Sequence, residues 1–172
     1  MTHMIVYSSV TGNTQVIAKA VKDALDENAC IYYGKPDRAL PQNASVIFVG
    51  FWVQGGTCSL EVKQYLKSLE NKKIALFGTA GFGGTEDYFE TILTEVKKQI
   101  PKSNEIVGSI MFQGKMPQNA LKQYQKLLDA NPNDGNVLNM IYNYNNALSH
   151  PDKQDIEATK RFARDIVSQI QK

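Results

Sequence analysis

Met4-Ile5-Val6-Tyr7-Ser8-Ser9-Val10-Thr11-Gly12-Asn13-Thr14 is an apolar run that stops in a small polar loop. Helical spacing begins where the loop ends, with Val16, Ile17, Ala20, Val21, Ala24 and Leu25 on one side. The stretch therefore reads as strand, loop and helix N-terminus. The first backbone N–H groups of a helix lack internal partners, and the helix dipole favours an anion there. Ser9, Thr11 and Thr14 add hydroxyl donors, and Gly12 lets the backbone close around a ligand without a Cβ in the way. This combination is suited to a phosphate group. The alternative is an ordinary helix start rich in Ser and Thr caps.

Outward from that loop, apolar runs and helical patterns alternate. Ala29–Tyr33 is a short strand stopped at Gly34, and Lys35 to Asn43, with its prolines, is a connection. Ser45–Gly50 and Lys73–Gly78 are continuous apolar runs of the kind covered on both faces of a sheet, and Glu105–Met111 completes a set of five strands. Leu60–Leu69, Asp87–Ile100 and Asp155–Ile170 carry helical patterns, the last with Ile156, Phe162, Ala163, Ile166, Val167 and Ile170 on one face. Strand–helix alternation of this sort builds a parallel sheet with helices on both faces. Loops follow the first, third and fourth strands, which is where such sheets bind ligands.

Two familiar phosphate loops are excluded. No lysine follows Gly12, as a triphosphate-binding loop requires, and Gly12 stands alone, so the dinucleotide pattern G-x-G-x-x-G fails. Ser9-Val10-Thr11-Gly12-Asn13-Thr14 instead resembles the flavodoxin pattern [ST]-x-T-G-x-T at every fixed position. The resemblance covers Met4 to about Met111 and resumes at the last helix. It implies an α/β, flavodoxin-like doubly wound five-stranded parallel sheet in the order 2-1-3-4-5. It also implies flavin mononucleotide (FMN) as cofactor, its phosphate held by Ser9, Val10, Thr11, Gly12, Asn13 and Thr14.

Two further loops match the family's ring loops. Phe51-Trp52-Val53-Gln54-Gly55-Gly56-Thr57 follows the third strand, and Trp52, the only tryptophan, is large enough to cover the flavin face. Its alternative is a core tryptophan. Gly55 and Gly56 permit the peptide flip by which flavodoxins present a carbonyl to the flavin. Thr79-Ala80-Gly81-Phe82 opens a second glycine-rich loop that departs from the family pattern, with glycines around Phe82 in place of Gly-Asp. Backbone donors without a nearby cation, together with Glu86 and Asp87, would disfavour an anionic reduced flavin and give a low potential.

One segment departs from simple flavodoxins. About residues 113–151 form a helical insert before the last helix, with Gln118–Leu128 and Val137–Leu148 helical and separated by Asn131-Pro132-Asn133-Asp134-Gly135. It reads either as a pair packed on the sheet edge or as a lid or docking surface beside the flavin.

Composition narrows the function. The 172 residues read as a single domain, 1–172. Lys and Arg total 19 and Asp and Glu 17, so the charge of +2 offers no argument for nucleic acid or a membrane surface. Cys30 and Cys58 fit no metal spacing, and two histidines make a metal cluster or a histidine-based catalytic set improbable, so no catalytic residue or metal ligand is named. No leader or membrane span is evident, and a reducing cytoplasm is the expected compartment. The resemblance implies an electron-transfer protein, monomer or weak dimer, passing low-potential electrons between redox partner proteins. A stand-alone FMN-dependent NAD(P)H or quinone-type oxidoreductase is the alternative, favoured by the insert and the mildly basic charge. A flavin-free binding module is the third reading.

Overall fold

The computed structural model describes residues 1–40 and 43–171. Its elements in chain order are β1 His3–Tyr7, α1 Asn13–Ala24, β2 Cys30–Gly34, β3 Val46–Gln54, β4 Thr57–Cys58, α2 Leu60–Lys67, β5 Lys73–Ala80, α3 Glu86–Lys97, β6 Glu105–Gln113, α4 Gln118–Ala130, α5 Gly135–Ala147 and α6 Lys153–Ile170. The connection read over Lys35 to Asn43 contains Pro41 and Gln42, which lie outside the described residues.

The five long strands pair in parallel in the order β2-β1-β3-β5-β6, which is the 2-1-3-4-5 winding expected of the sequence. One detail differs. β4 is an added strand pairing antiparallel with the end of β3, Val53 opposite Cys58 and Gln54 opposite Thr57. Phe51–Gln54, read as loop, therefore continues the strand past the body of the sheet.

Alternation along each strand sorts the core into two layers. Met4, Val6, Ile47, Val49, Phe51, Ile74 and Leu76 face α2 and α3, where they meet Val62, Leu66, Ile92 and Val96. Ile5, Val46, Phe48, Ala75 and Phe77 face α1 and α6, where they meet Ile17, Val21, Ala163 and Ile166. Each large apolar side chain buried this way contributes about 1.5–3 kcal/mol. Double coverage is why these strands read as unbroken apolar runs.

Two reciprocal pairs close the floor beneath the loops. Gly50 lies opposite Phe77, and Phe51 lies opposite Gly78. A Cβ at Gly50 would stand 2.3 Å from the Phe77 ring, and one at Gly78 would stand 2.6 Å from the Phe51 ring. Each phenylalanine thus lies over the glycine across from it, a contact that no larger residue would leave room for.

The insert is a helical pair. α4 packs against α5 and buries none of its own residues, whereas α5 buries Val137, Tyr144 and Ala147.

Candidate functional site

β1 ends at Tyr7, and the Ser8 N–H donates to the Gly50 carbonyl at 3.1 Å, tying the first loop to β3. Gly12 then takes a left-handed φ of 90° as the N-cap of α1, which has no side-chain cap and no acidic residue in its first turn. The Gln15 N–H donates to Ser9 Oγ at 3.3 Å. Asn13 is buried, and its Nδ2 donates to Thr11 Oγ1 at 3.0 Å and to the Lys115 carbonyl at 2.9 Å. Its Oδ1 is buried without a partner among the described residues. Thr14 is turned inward, its hydroxyl 2.8 Å from that of Thr79.

The second element is a hairpin. Gly55 and Gly56 have φ of 57° and 79°, the sign pattern of the two-residue turn that matches strand twist. The indole N–H of Trp52 donates to Ser8 Oγ at 3.3 Å, and the Ser8 hydroxyl donates to the Glu61 carboxylate. Trp52 is therefore fixed at its edge and half-exposed, at the mouth of the sheet and outside the core.

The third element follows β5. Thr85 caps α3 by accepting from the Tyr88 N–H at 3.3 Å. Asn143 of α5 donates to the Gly81 carbonyl at 3.0 Å. Gln113 donates to Asn143 Oδ1 at 3.1 Å and to the Gly83 carbonyl at 3.4 Å. The insert thus braces this loop from behind. Phe82 is 46% exposed and meets Tyr88 edge-on, ring centroids 6.1 Å apart.

These elements enclose a cavity of about 260 Å³ lined by Val10, Thr11, Asn13, Trp52, Val53, Thr79, Gly81, Lys115, Met116 and Pro117. A neighbouring hollow of about 360 Å³ lies on the other flank of the first loop, among Ser8, Ser9, Val10, Gln15, Lys35 and Glu61. A larger hollow of about 400 Å³, at Asp37, Arg38, Glu61 and Gln64, touches none of the three loops. The candidate site is the cavity that touches all three.

Over residues 4–164 the chain matches the flavodoxin domain. The chain belongs to the flavodoxin family. Among relatives of this flavodoxin, the flavodoxin-like domain-containing protein BilS of Clostridioides difficile (strain CD3) is 35% identical over 174 residues, covering 97% of each chain. BilS of Clostridium symbiosum (strain WAL-14163) is 36% identical over 178 residues, covering 94% of each. Among solved structures, oxidised Flavodoxin 2 from Bacillus cereus superposes with a TM-score of 0.57 at 20% identity, over 98% of this chain and 99% of that one.

Of the residues singled out in the sequence, Val10, Thr11, Asn13, Trp52, Val53, Thr79 and Gly81 meet in the cavity, and Ser9 borders the neighbouring hollow. Gly12 shapes the loop, Thr14 braces it from within, and Ala80 is buried at the end of β5. Gln54, Gly55 and Gly56 form the exposed tip of the hairpin, and Phe82 leans on Tyr88; none of these lines the cavity.

Sequence reasoning missed Lys115, Met116 and Pro117. They follow the fifth long strand, so the rule that ligands sit beyond strand carboxyl ends, applied once more, would have found them. Their presence corrects the expectation of a cation-free site, because Lys115 lines the cavity. The expectation of a low potential loses that premise.

Two other chemistries are accounted for structurally. Cys58 is buried, and burial pushes its thiol pKa up, so it is a poor nucleophile. His150 Nδ1 lies 2.6 Å from Asp155 Oδ2, while Asp152 and Asp155 form the capping box of α6. This trio is engaged with a helix end. Among the described residues no helix is long and apolar enough to cross a membrane.

Proposed function

We propose that this chain binds FMN and passes electrons between redox partner proteins. The single observation that supports the reading is the cavity where three strand-end loops meet, with one wall made by a tryptophan whose indole is anchored to Ser8. The residues fit the group. The start of α1, where Gly12 offers no side-chain cap and Ser9 Oγ takes only the Gln15 N–H, has no carboxylate in its first turn and, with the hydroxyls of Ser9 and Thr11 close by, suits a terminal phosphate. Trp52, Val53, Met116 and Pro117 suit a planar, largely apolar ring. A flavoprotein from Lactobacillus acidophilus NCFM in complex with FMN shares the fold, with a TM-score of 0.52 at 13% identity, over 72% of this chain and 98% of that one.

When bound, FMN supplies the redox chemistry, and the chain supplies binding, orientation and exclusion of water. Asn13 holds the phosphate loop to the segment after β6, Trp52 shields one face of the cavity, and Asn143 with Gln113 fixes the carbonyls of the glycine-rich loop. None of the residues lining the cavity is a histidine, cysteine or carboxylate, so the lining offers no general acid or base except Lys115.

The test is FMN titration of the apoprotein, then stepwise reduction followed by absorbance. Tight FMN binding with radical absorbance at half reduction is expected. Absence of binding refutes the reading. Direct passage to the two-electron form, with NAD(P)H turnover by the purified protein alone, replaces it with the oxidoreductase.

A further inference from the structure

We infer that Lys115 is the counter-cation of the reduced flavin and raises the potential of the site. The inference rests on the FMN reading above. Among the described residues Lys115 is the only charged one lining the cavity, whose other walls are mostly apolar. Among the described residues it forms no ion pair, whereas other lysines, such as Lys19, Lys98 and Lys160, are bridged to carboxylates.

Its backbone is held on both sides. The amide donates to the His150 carbonyl at 2.9 Å, and the carbonyl accepts from Asn13 Nδ2 at 2.9 Å. The next residue, Met116, packs so closely on Gly81 that a Cβ there would stand 2.4 Å from its Cγ. Lys115 thus stands exposed at the rim of the cavity, on a segment whose backbone is anchored on both sides.

The chemistry that calls for such a group is reduction. Oxidised flavin takes two electrons from a reductant, here a redox partner or dithionite, and one proton at N5. The product is a monoanion whose charge spreads over the N1 end of the ring. An exposed cation at the rim of a mostly apolar cavity acts on that charge through a partly screened medium, so its effect is modest and falls with salt. The phosphate is the less suitable partner. Ser9, Gln15 and the cation Lys35 border the other flank of the first loop, in the neighbouring hollow. Lys115 shares its cavity with Trp52, Val53 and Pro117 as well as with Val10, Thr11 and Asn13 of the first loop, so FMN against riboflavin affinity separates a phosphate role from a ring role.

The experiment is spectroelectrochemical titration of the FMN-loaded full chain as wild type, Lys115→Met and Lys115→Arg. Both variants keep the two backbone hydrogen bonds. Lys115→Met should shift the equilibrium of the second electron about tenfold toward the less reduced form, or about 59 mV lower for one electron. Lys115→Arg should keep the wild-type potential, and raising the salt should shrink the difference between wild type and Lys115→Met. The affinities of FMN and riboflavin for the oxidised protein should change little. An unchanged potential in Lys115→Met overturns the inference while leaving FMN binding standing. Loss of FMN affinity with riboflavin unaffected also overturns it, because Lys115 would then serve the phosphate. Failure of wild type to bind FMN overturns both readings.

Discussion

Replacing Gly55 by valine separates backbone strain from packing. Gly55 and Gly56 have φ of 57° and 79°, and a Cβ built on either meets nothing within 4 Å. Space is therefore not the obstacle, and the cost lies in the left-handed backbone. An L-residue there costs about 1–2 kcal/mol, and a strained β-branched one about 1–3 kcal/mol. Asparagine tolerates this region, and Asn-Gly is a preferred pair for such a turn. Gly55→Asn also stiffens the unfolded chain, a gain of about 0.4–1 kcal/mol. The two variants should thus differ by about 2 kcal/mol in urea unfolding, with Gly55→Val below wild type and Gly55→Asn level with it or above. At about 2–4 °C per kcal/mol for a chain of this size, the midpoints should separate by several degrees. The fluorescence of Trp52, three residues earlier on the strand that leads into the turn, reports whether the hairpin is still seated. If valine is tolerated as well as asparagine, the turn does not hold Gly55 left-handed. If asparagine costs as much as valine, the loss is not strain at φ.

Other expectations follow from the loops. Thr11→Ala should weaken FMN binding by about 1–3 kcal/mol, the scale for a hydrogen bond to a charged group, with riboflavin affinity unmoved in the same titration. Thr14→Ala should act on stability instead, because it strips the buried Thr79 hydroxyl of its partner; a melt should show a loss of about 1–3 kcal/mol. Ser8→Ala removes the acceptor of the Trp52 indole, so near-ultraviolet dichroism should weaken and emission should move to the red, and unchanged spectra would contradict the anchoring. His3 is 2% exposed, and burial lowers its pKa below the usual 6.5. The unfolded chain then takes up the proton first, so stability is full above about pH 6.5 and falls as the pH drops below it. His3→Leu should flatten the difference between melts at pH 7.5 and pH 5.5.

What was legible in the sequence was what local pattern dictates. The unbroken apolar runs of Val46–Val49 and Ile74–Phe77 arise from burial on both faces, and Gly12 marks the one left-handed residue of the first loop. The hairpin was encoded too, as two glycines between Phe51–Gln54 and Thr57-Cys58, but glycine pairs also mark open loops. The tie that holds the Lys115 segment to the first loop, and the brace from Asn143, were not legible. Their roles come from hydrogen bonds to Asn13 and Gly81, 102 and 62 residues away in the chain, and no periodicity reports such a pairing. The insert was ambiguous for a physical reason: α4 buries nothing, so its pattern is that of a solvated helix, and only α5 carries residues that reach the glycine-rich loop.

The bond from Asn13 to the Lys115 carbonyl, and from the Lys115 amide to His150, has a consequence for biosynthesis. All five long parallel strands precede Lys115 in the chain, and a nascent chain folds from its N-terminal end as it emerges. The strands and the first loop are therefore made early, but the wall that completes the cavity waits for His150. The same late stretch carries α6, whose Ala163 and Ile166 cover Ile5, Val46 and Phe48, so the second face of the sheet and the last wall of the cavity are completed together.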